Sequence, residues 1–405
     1  MPHAFLTVLL ALITMVGPLG IDTYLPSFHA IGAEFGVPQL VVQQTLSLYI
    51  GGMAVMMLFY GTLSDSFGRR RVMLVSLVAF VLTSVAAVLA PSAGALVLIR
   101  ALQGLSAGAG LVIARAMVTD RYQGSDAQRM MALILMVFGV APAIAPIIGG
   151  WLQATWGWRS VFVFLAVFGA LLMAASLRVL PETLPLNERQ PFRFGVIVRN
   201  YGRALSSGRF MLMCLAFGLV FCGLPLYVGS AAAYVMDILH QPETAFGWLF
   251  LPLVGGLVLG SALASRLSHR IQPPRMVRIG FAIMVVAVGW SVAYTSLFTA
   301  AVPWAVMPFA LYTFGLSMAS PGMTVMAMEE FPQLRGLAAS MQGFVQMLTF
   351  ALVTGVVAPL LYSSALNLAL GHAVGVAAGM AVWWVAARGR GAAAATSDAS
   401  SQFAK

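Results

Sequence analysis

Apolar runs long enough to cross a bilayer recur from near the first residue to about residue 388, with almost no charge inside them. A spanning helix needs about 20 apolar residues. Twelve stretches meet that length: 5–27, 43–62, 72–91, 95–118, 130–153, 158–180, 210–235, 245–266, 276–297, 301–325, 336–360 and 366–388. They are too long for the strands of a membrane β-barrel. Only 8% of the 405 residues are charged, against about 25% in a soluble domain, so this chain cannot clothe a water-facing surface. The expected fold is an all-α integral membrane protein of twelve transmembrane helices, with the lipid bilayer as its surroundings.

The gaps between the runs order the helices. Gaps such as Pro91-Ser92-Ala93-Gly94 and Trp156-Gly157 are tight turns between antiparallel neighbours. The longest, 181–209, holds Pro181, Pro185, Pro191, Glu182, Glu188 and several arginines, and divides the helices six and six. The chain therefore reads as a six-helix bundle over 1–180, a cytoplasmic linker over 181–209, a second bundle over 210–388, and an Ala/Ser-rich tail over 389–405 expected to be disordered. With the N-terminus inside, the inner segments carry nearly all the basic residues and the outer loops only Arg159. That bias places both termini in the cytoplasm. It also explains the net charge of +10 as a topology signal, so no nucleic-acid partner is expected. The first run is long and holds an acid, so it reads as a retained helix and not a cleaved signal. Cys214 and Cys222 lie eight apart on one predicted helix, about 12 Å along its axis and too far to bridge.

Three places inside or beside the helices carry chemistry. Asp22, within Gly20-Ile21-Asp22-Thr23-Tyr24-Leu25-Pro26, lies inside a predicted helix. A carboxylate in hydrocarbon is expensive, and such a group is suited to exchanging a proton. Pro26 and Pro18 leave the carbonyls of Asp22 and Thr14 without their helical donors. The alternative is that Asp22 sits near the outer end and meets water. On the fourth helix Arg100 and Gln103 share a face, with Gly104 and Gly108 below them for close packing. Arg100 needs an anionic partner, for which Asp22 is the candidate, or else it snorkels to the outer interface. The fifth helix holds Pro142, Pro146, Gly149 and Gly150, which make a kinked, small-surfaced helix suited to packing against the other half.

Between the second and third runs lies Gly61-Thr62-Leu63-Ser64-Asp65-Ser66-Phe67-Gly68-Arg69-Arg70-Arg71, the densest charge cluster in the chain. Gly61 and Gly68 suit a tight turn and close helix approach. Asp120, at the inner end of the fourth helix, reaches the same level as Asp65 and Arg69, so the cluster is one that relative motion of the bundles can make or break. The second half echoes this stretch weakly in Gly260-Ser261-Ala262-Leu263-Ala264-Ser265-Arg266-Leu267-Ser268-His269-Arg270, as expected of two repeated bundles around a central path. The histidines show no metal-ligand spacing. No nucleotide-binding loop and no catalytic arrangement is visible, so the chain does not read as an enzyme.

The Gly-x-x-x-Asp-x-x-Gly-Arg-Arg frame resembles the loop signature of the major facilitator superfamily. Together with Asp22 to Pro26, Arg100 to Gly104, Ala114-Arg115-Ala116, Ala145 to Gly150 and Phe246 to Phe250, the chain is similar to that superfamily's drug–proton antiporters of the bicyclomycin/chloramphenicol (Bcr/CflA) group. The resemblance implies two pseudo-symmetric six-helix bundles, a bacterial inner membrane, a monomer, and export of small, mostly apolar drugs in exchange for protons, with no cofactor beyond the coupling proton. It implies that Asp22, Arg100 and Gln103 form the coupling and substrate site. Gly61, Asp65, Gly68, Arg69, Arg70 and Asp120 would be the gating motif, and Pro142, Pro146, Gly149 and Gly150 the antiporter helix motif. Thr62 stands where the group usually has proline, Arg71 where it often has proline, and Ala145 where many antiporters have glycine. Two other readings remain open: an exporter of a cell metabolite such as a sugar or nucleoside, and a transport-dead membrane receptor or sensor.

Overall fold

The computed structural model describes residues 3–331 and 335–402, and among these every regular element is helical. Among the described residues ten helical runs are long and apolar enough to cross a membrane on their own, and an eleventh crossing starts as Gly208–Phe221, after a sharp bend from the helix Phe194–Ser206. The twelfth is Met307–Met328, whose prolines, serines and threonines lower its apolarity but whose length lies largely buried among its neighbours. The spans form two six-helix bundles. In chain order, the first bundle comprises Phe5–Phe35, 39–67, Arg69–Val88, Ala93–Arg121, Gly124–Trp156 and Arg159–Val179. The second comprises 208–238, Glu243–Leu267, Pro273–Leu297, Met307–Met328, 335–361 and the helix beginning at Ala365. Large apolar residues such as Leu82, Leu98, Leu171 and Val286 are exposed around the outside, which makes this a multi-pass membrane protein with a lipid-facing belt.

Small residues set the spacing of the helices, as in membrane bundles generally. A β-carbon added to Gly104 in the fourth span would stand 2.7 Å from the Tyr49 carbonyl carbon of the second. Gly280 and Gly315 lock the ninth and tenth spans together in the same manner. Turn chemistry ends the spans where the sequence signals it. Ser92 caps the fourth span by accepting from the Ala95 N–H at 3.2 Å, and Gly36 closes the first span in the left-handed conformation.

Several elements differ from the sequence reading. The first span does not end at 27. It breaks after Asp22, makes a short 3-10 turn at Leu25–Ser27, and resumes over Phe28–Phe35. Gly61 is not a turn residue: it lies inside the helix Tyr60–Phe67 with open space around it. Only Gly68, at φ 94°, makes the turn. The fifth span is one continuous helix through Pro142 and Pro146, each of which lacks the N–H that would close a helical bond. The last helix continues to Gln402, through the 389–402 stretch expected to be disordered. Four consecutive alanines at 392–395, the strongest helix formers, carry the backbone on.

One end of the molecule carries the arginines, and at the opposite, arginine-poor end the two bundles are stitched together. Gln43 donates to the carbonyls of Gly229 at 2.7 Å and Thr354 at 2.9 Å. Gln44 donates to the Gly355 carbonyl at 2.9 Å and Ser47 to the Ala351 carbonyl at 2.7 Å. His29 pairs with Asp237 at 3.1 Å. The eleventh span opens into one wide π-type turn at Val353–Val357 where Gln43 and Gln44 reach it, a distortion common at functional contacts.

The glycine contacts yield a test. At Gly149 a new β-carbon would stand 2.7 Å from the Thr23 carbonyl carbon, whereas at Gly61 it meets nothing within 4 Å. Gly149→Val should destabilise the protein by about 1–3 kcal/mol, as overpacking does. Gly61→Ala should leave the thermal midpoint in detergent unchanged; equal midpoints for both variants would contradict the packing described.

Candidate functional site

Arg100 is the largest fully buried side chain, and its surroundings are built from four spans of the first bundle. The three-residue spacing puts Gln103 one turn along the same face, and Arg100 Nη1 donates to Gln103 Oε1 at 2.6 Å. Nη2 donates to the Gly20 carbonyl at 2.7 Å. That carbonyl is available because the first span breaks after Asp22 and no backbone N–H closes onto it. Gln103 Nε2 donates in turn to Ser84 Oγ at 2.7 Å, and Ser84 to the Phe80 carbonyl at 2.6 Å. The guanidinium lies 4.0 Å from the Tyr49 ring centroid and 4.7 Å from that of Tyr24. In a desolvated setting such a contact contributes about 2 kcal/mol or more. Gly104 brings Tyr49 this close, and Tyr49 is fixed by its own hydrogen bond to the Gly17 carbonyl at 3.1 Å. Tyr24 is likewise tied to Thr45 Oγ1 at 2.9 Å.

Asp22 is only 4% exposed, and among the described residues its carboxyl has no hydrogen-bond or ion-pair partner within reach. The expected Asp22–Arg100 pair is therefore not formed. Neutral groups have taken the two terminal nitrogens, a released carbonyl and an amide oxygen with two ring faces beside them, while Nε lies buried without an acceptor. The snorkelling alternative fails as well, since Arg100 is 0% exposed. Asp22 and Arg100 meet the same break in the first span: Arg100 holds the Gly20 carbonyl, two residues before Asp22. Sequence reasoning did not single out Tyr24, Tyr49 or Ser84. Tyr24 falls in a stretch it quoted, but nothing in the pattern shows that two aromatic faces would enclose Arg100.

At the arginine-rich end Arg69 gathers residues of the 61–71 stretch and Asp120. Its guanidinium pairs with Asp65 and with Asp120 Oδ2 at 3.1 Å, and donates to Ser64 Oγ at 2.6 Å. The start of the linker closes over this cluster. Glu182 accepts from the Arg69 backbone N–H at 2.9 Å and pairs with Arg189 at 3.3 Å. Thr183 donates to Asp120 at 2.8 Å, and the Gln190 N–H to the Asp65 carbonyl at 3.2 Å. Arg70 leaves the cluster and donates to the Leu177 carbonyl at 2.7 Å. Gly68 is required twice over, by its positive φ and by Glu182 and Arg189 pressing where a side chain would go. Glu182 and Thr183 were not legible as members, because they enter from 113 residues away in the chain.

The fifth-span glycines divide their work. Gly149 packs on the Thr23 backbone of the first span, within its own bundle, and only Gly150 meets the other bundle, at the Glu243 carbonyl. In the second bundle His372 is 2% exposed inside rings from Tyr227, Phe309 and Tyr312, the last with its centroid 4.1 Å away.

A membrane protein of two six-helix bundles, with a charged residue buried at the heart of one, falls by its relatives among transporters and not enzymes. Residues 10–354 match the Major Facilitator Superfamily, and the chain belongs to that family. It is 29% identical over 349 residues to the bicyclomycin resistance protein homolog of Haemophilus influenzae, covering 86% of this chain and 87% of that one. It is 28% identical over 333 residues to the multidrug transporter MdfA of Yersinia pestis, covering 82% and 81%. Its fold matches the crystal structure of a bacterial homolog of the human lysosomal transporter Spinster with a TM-score of 0.72 at 14% identity, over 95% of this chain and 97% of that one.

The network around Arg100 predicts graded losses. Gln103→Leu strips Arg100 Nη1 of its acceptor and Ser84 of its donor, and should lower stability by about 1–3 kcal/mol. Ser84→Ala leaves only one amide N–H unmatched and should lower it less. Thermal unfolding in detergent distinguishes the two; an effect of Ser84→Ala as large as that of Gln103→Leu would contradict the arrangement.

Proposed function

We propose that this chain exports small, mostly apolar drugs of the chloramphenicol and bicyclomycin kind in exchange for protons, by alternating access in a bacterial inner membrane with both termini in the cytoplasm. The observation that carries the reading is Asp22: a buried carboxyl in a spanning helix, unpaired among the described residues, two residues from the Gly20 carbonyl that Arg100 holds. An acid locked in an ion pair would not exchange its proton readily; this one is held by no such pair. Ionised, it balances the charge of Arg100. Protonated, it leaves that charge uncompensated around Tyr49 and the break in the first span. Coupling then needs only that drug and proton favour different states of the protein. The names of the two relatives described above, one a bicyclomycin resistance protein homolog and one a multidrug transporter, support the substrate class.

On this reading the stitched arginine-poor end is the outer gate in its closed state, and the Arg69 cluster with the linker is the inner gating element. Rocking of the bundles breaks the hydrogen bonds of Gln43, Gln44 and Ser47 and the His29–Asp237 pair. Surface ion pairs contribute little to stability, so their value here lies in biasing one state over the other.

Two measurements test the proposal. Acid-loaded inside-out vesicles should release protons when chloramphenicol-type drugs are added, and Asp22→Asn should reduce that release to the level of empty vesicles. Release that persists undiminished in Asp22→Asn would move the proton site elsewhere. Drug binding without any proton or drug flux would favour the receptor reading, and flux only with metabolites the metabolite one. Separately, Gln43→Leu removes two bonds across the outer gate and should shift the equilibrium toward the outward-open state by about 1–3 kcal/mol. Alkylation of a cysteine placed at Ser47 should accordingly speed up.

A further inference from the structure

The helix Phe194–Ser206, in the linker between the bundles, takes no part in the site around Arg100 or in the outer gate. Its run Ile197–Ser206 stands at 84° to Gly208–Phe221, the start of the seventh span. Where that span crosses the bilayer, the linker helix therefore runs close to the membrane plane, at the arginine-rich end. Its residues sort into three stripes. Ile197 and Ala204 are buried against the protein, and Tyr201 on the same side donates to the Leu58 carbonyl at 2.8 Å. Phe194, Val198 and Leu205 form the next stripe at helical spacing and are 59%, 52% and 55% exposed. Beyond them Arg199 and Arg203, with Arg193 at the helix start, are exposed and form no ion pair among the described residues.

We propose that this helix is a lipid-binding element. It lays Phe194, Val198 and Leu205 into the headgroup–acyl boundary of the adjoining leaflet, while Arg193, Arg199 and Arg203 bind the phosphates of anionic phospholipids. Three arguments select this occupant. An apolar stripe flanked by arginines on a helix lying in the membrane plane is the make-up of an interfacial helix. The seventh span, which begins two residues after this helix ends, exposes Leu212 and Leu215, so the bilayer is the apolar phase already at hand. Planar guanidinium groups pair with phosphate oxygens in two-point contacts. A second copy of the chain is a poorer fit, because pairing along this edge would set exposed arginines against their own kind. The proposal stands whichever substrate the protein carries. It has a consequence for the gate: Tyr201 is tied to Leu58, and Gln190 in the same linker to Asp65. Lipid that holds the helix thereby holds the linker on the 61–71 segment.

The test uses the full chain in nanodiscs of phosphatidylcholine alone or mixed with phosphatidylglycerol. Spin labels are placed at Val198→Cys and, as a control, Ser206→Cys, with Cys214 and Cys222 replaced by alanine. The label at 198 should be reached by oxygen and shielded from aqueous nickel chelate, and the label at 206 should remain open to nickel. Native mass spectrometry of the triple variant R193Q/R199Q/R203Q should show retained phosphatidylglycerol, relative to phosphatidylcholine, falling by about fivefold per arginine removed at low salt. Equal nickel access at 198 and 206, or unchanged phosphatidylglycerol retention in the triple variant, would overturn the proposal. So would spin–spin broadening at 198 that grows with protein density, which would assign the stripe to a second copy. The labelling arm keeps the arginines intact, so it remains decisive if the triple variant fails to fold.

Discussion

Much of the first bundle follows from the need to bury one guanidinium in hydrocarbon. A charge there is costly unless it is surrounded by groups that replace water. Arg100 obtains them from four directions: a carbonyl of the first span, an amide of its own helix one turn on, and aromatic faces from the first and second spans. Each supplier imposes a further demand. The Gly20 carbonyl is free only because the helix breaks at Asp22, and Tyr49 reaches the guanidinium only because Gly104 lets two backbones touch. A break, a glycine and two tyrosines are thus parts of one solution to one electrostatic problem.

That solution leaves Asp22 without an ion pair among the described residues, although Arg100 holds a carbonyl only two residues away in the chain. The Asp22 carboxyl is buried without a hydrogen bond or ion pair among the described residues. The arginine-rich cluster is built on the opposite logic. Arg69 is saturated by Asp65, Asp120 and Ser64, and the linker adds Glu182, Thr183 and Gln190 to close it. One centre leaves a carboxyl without a partner among the described residues, the other pairs its acids with arginines. The stitched arginine-poor end lies between these extremes, since its bonds run from side chains of the second span to carbonyls of the seventh and eleventh.

Much of this was legible in the sequence for identifiable reasons. Span length and number follow from bilayer thickness, and Arg100 and Gln103 meet because three residues make nearly one helical turn. Asp65, Arg69 and Asp120 come together because both segments end at the same membrane face. The errors have physical sources too. The pairing of Asp22 with Arg100 was inferred from opposite charge alone, and a backbone carbonyl with aromatic faces proved sufficient. Gly61 was grouped with Gly68 by motif, but a glycine inside a helix with open space around it makes no turn.

By itself the sequence determined that this protein spans a membrane, how many times, which end carries its positive charge, and which few polar residues must lie within the hydrocarbon. Those properties rest on bilayer thickness, helical rise and the energetics of charge in lipid, all of which act locally along the chain. Only the tertiary structure decided what those polar residues touch. The partners of Arg100, the closure of the linker over Arg69 and the stitching of the two bundles join residues far apart in the chain. Which of several chemically adequate groups arrives first at a buried charge is settled by how glycines and helix breaks let the backbones approach.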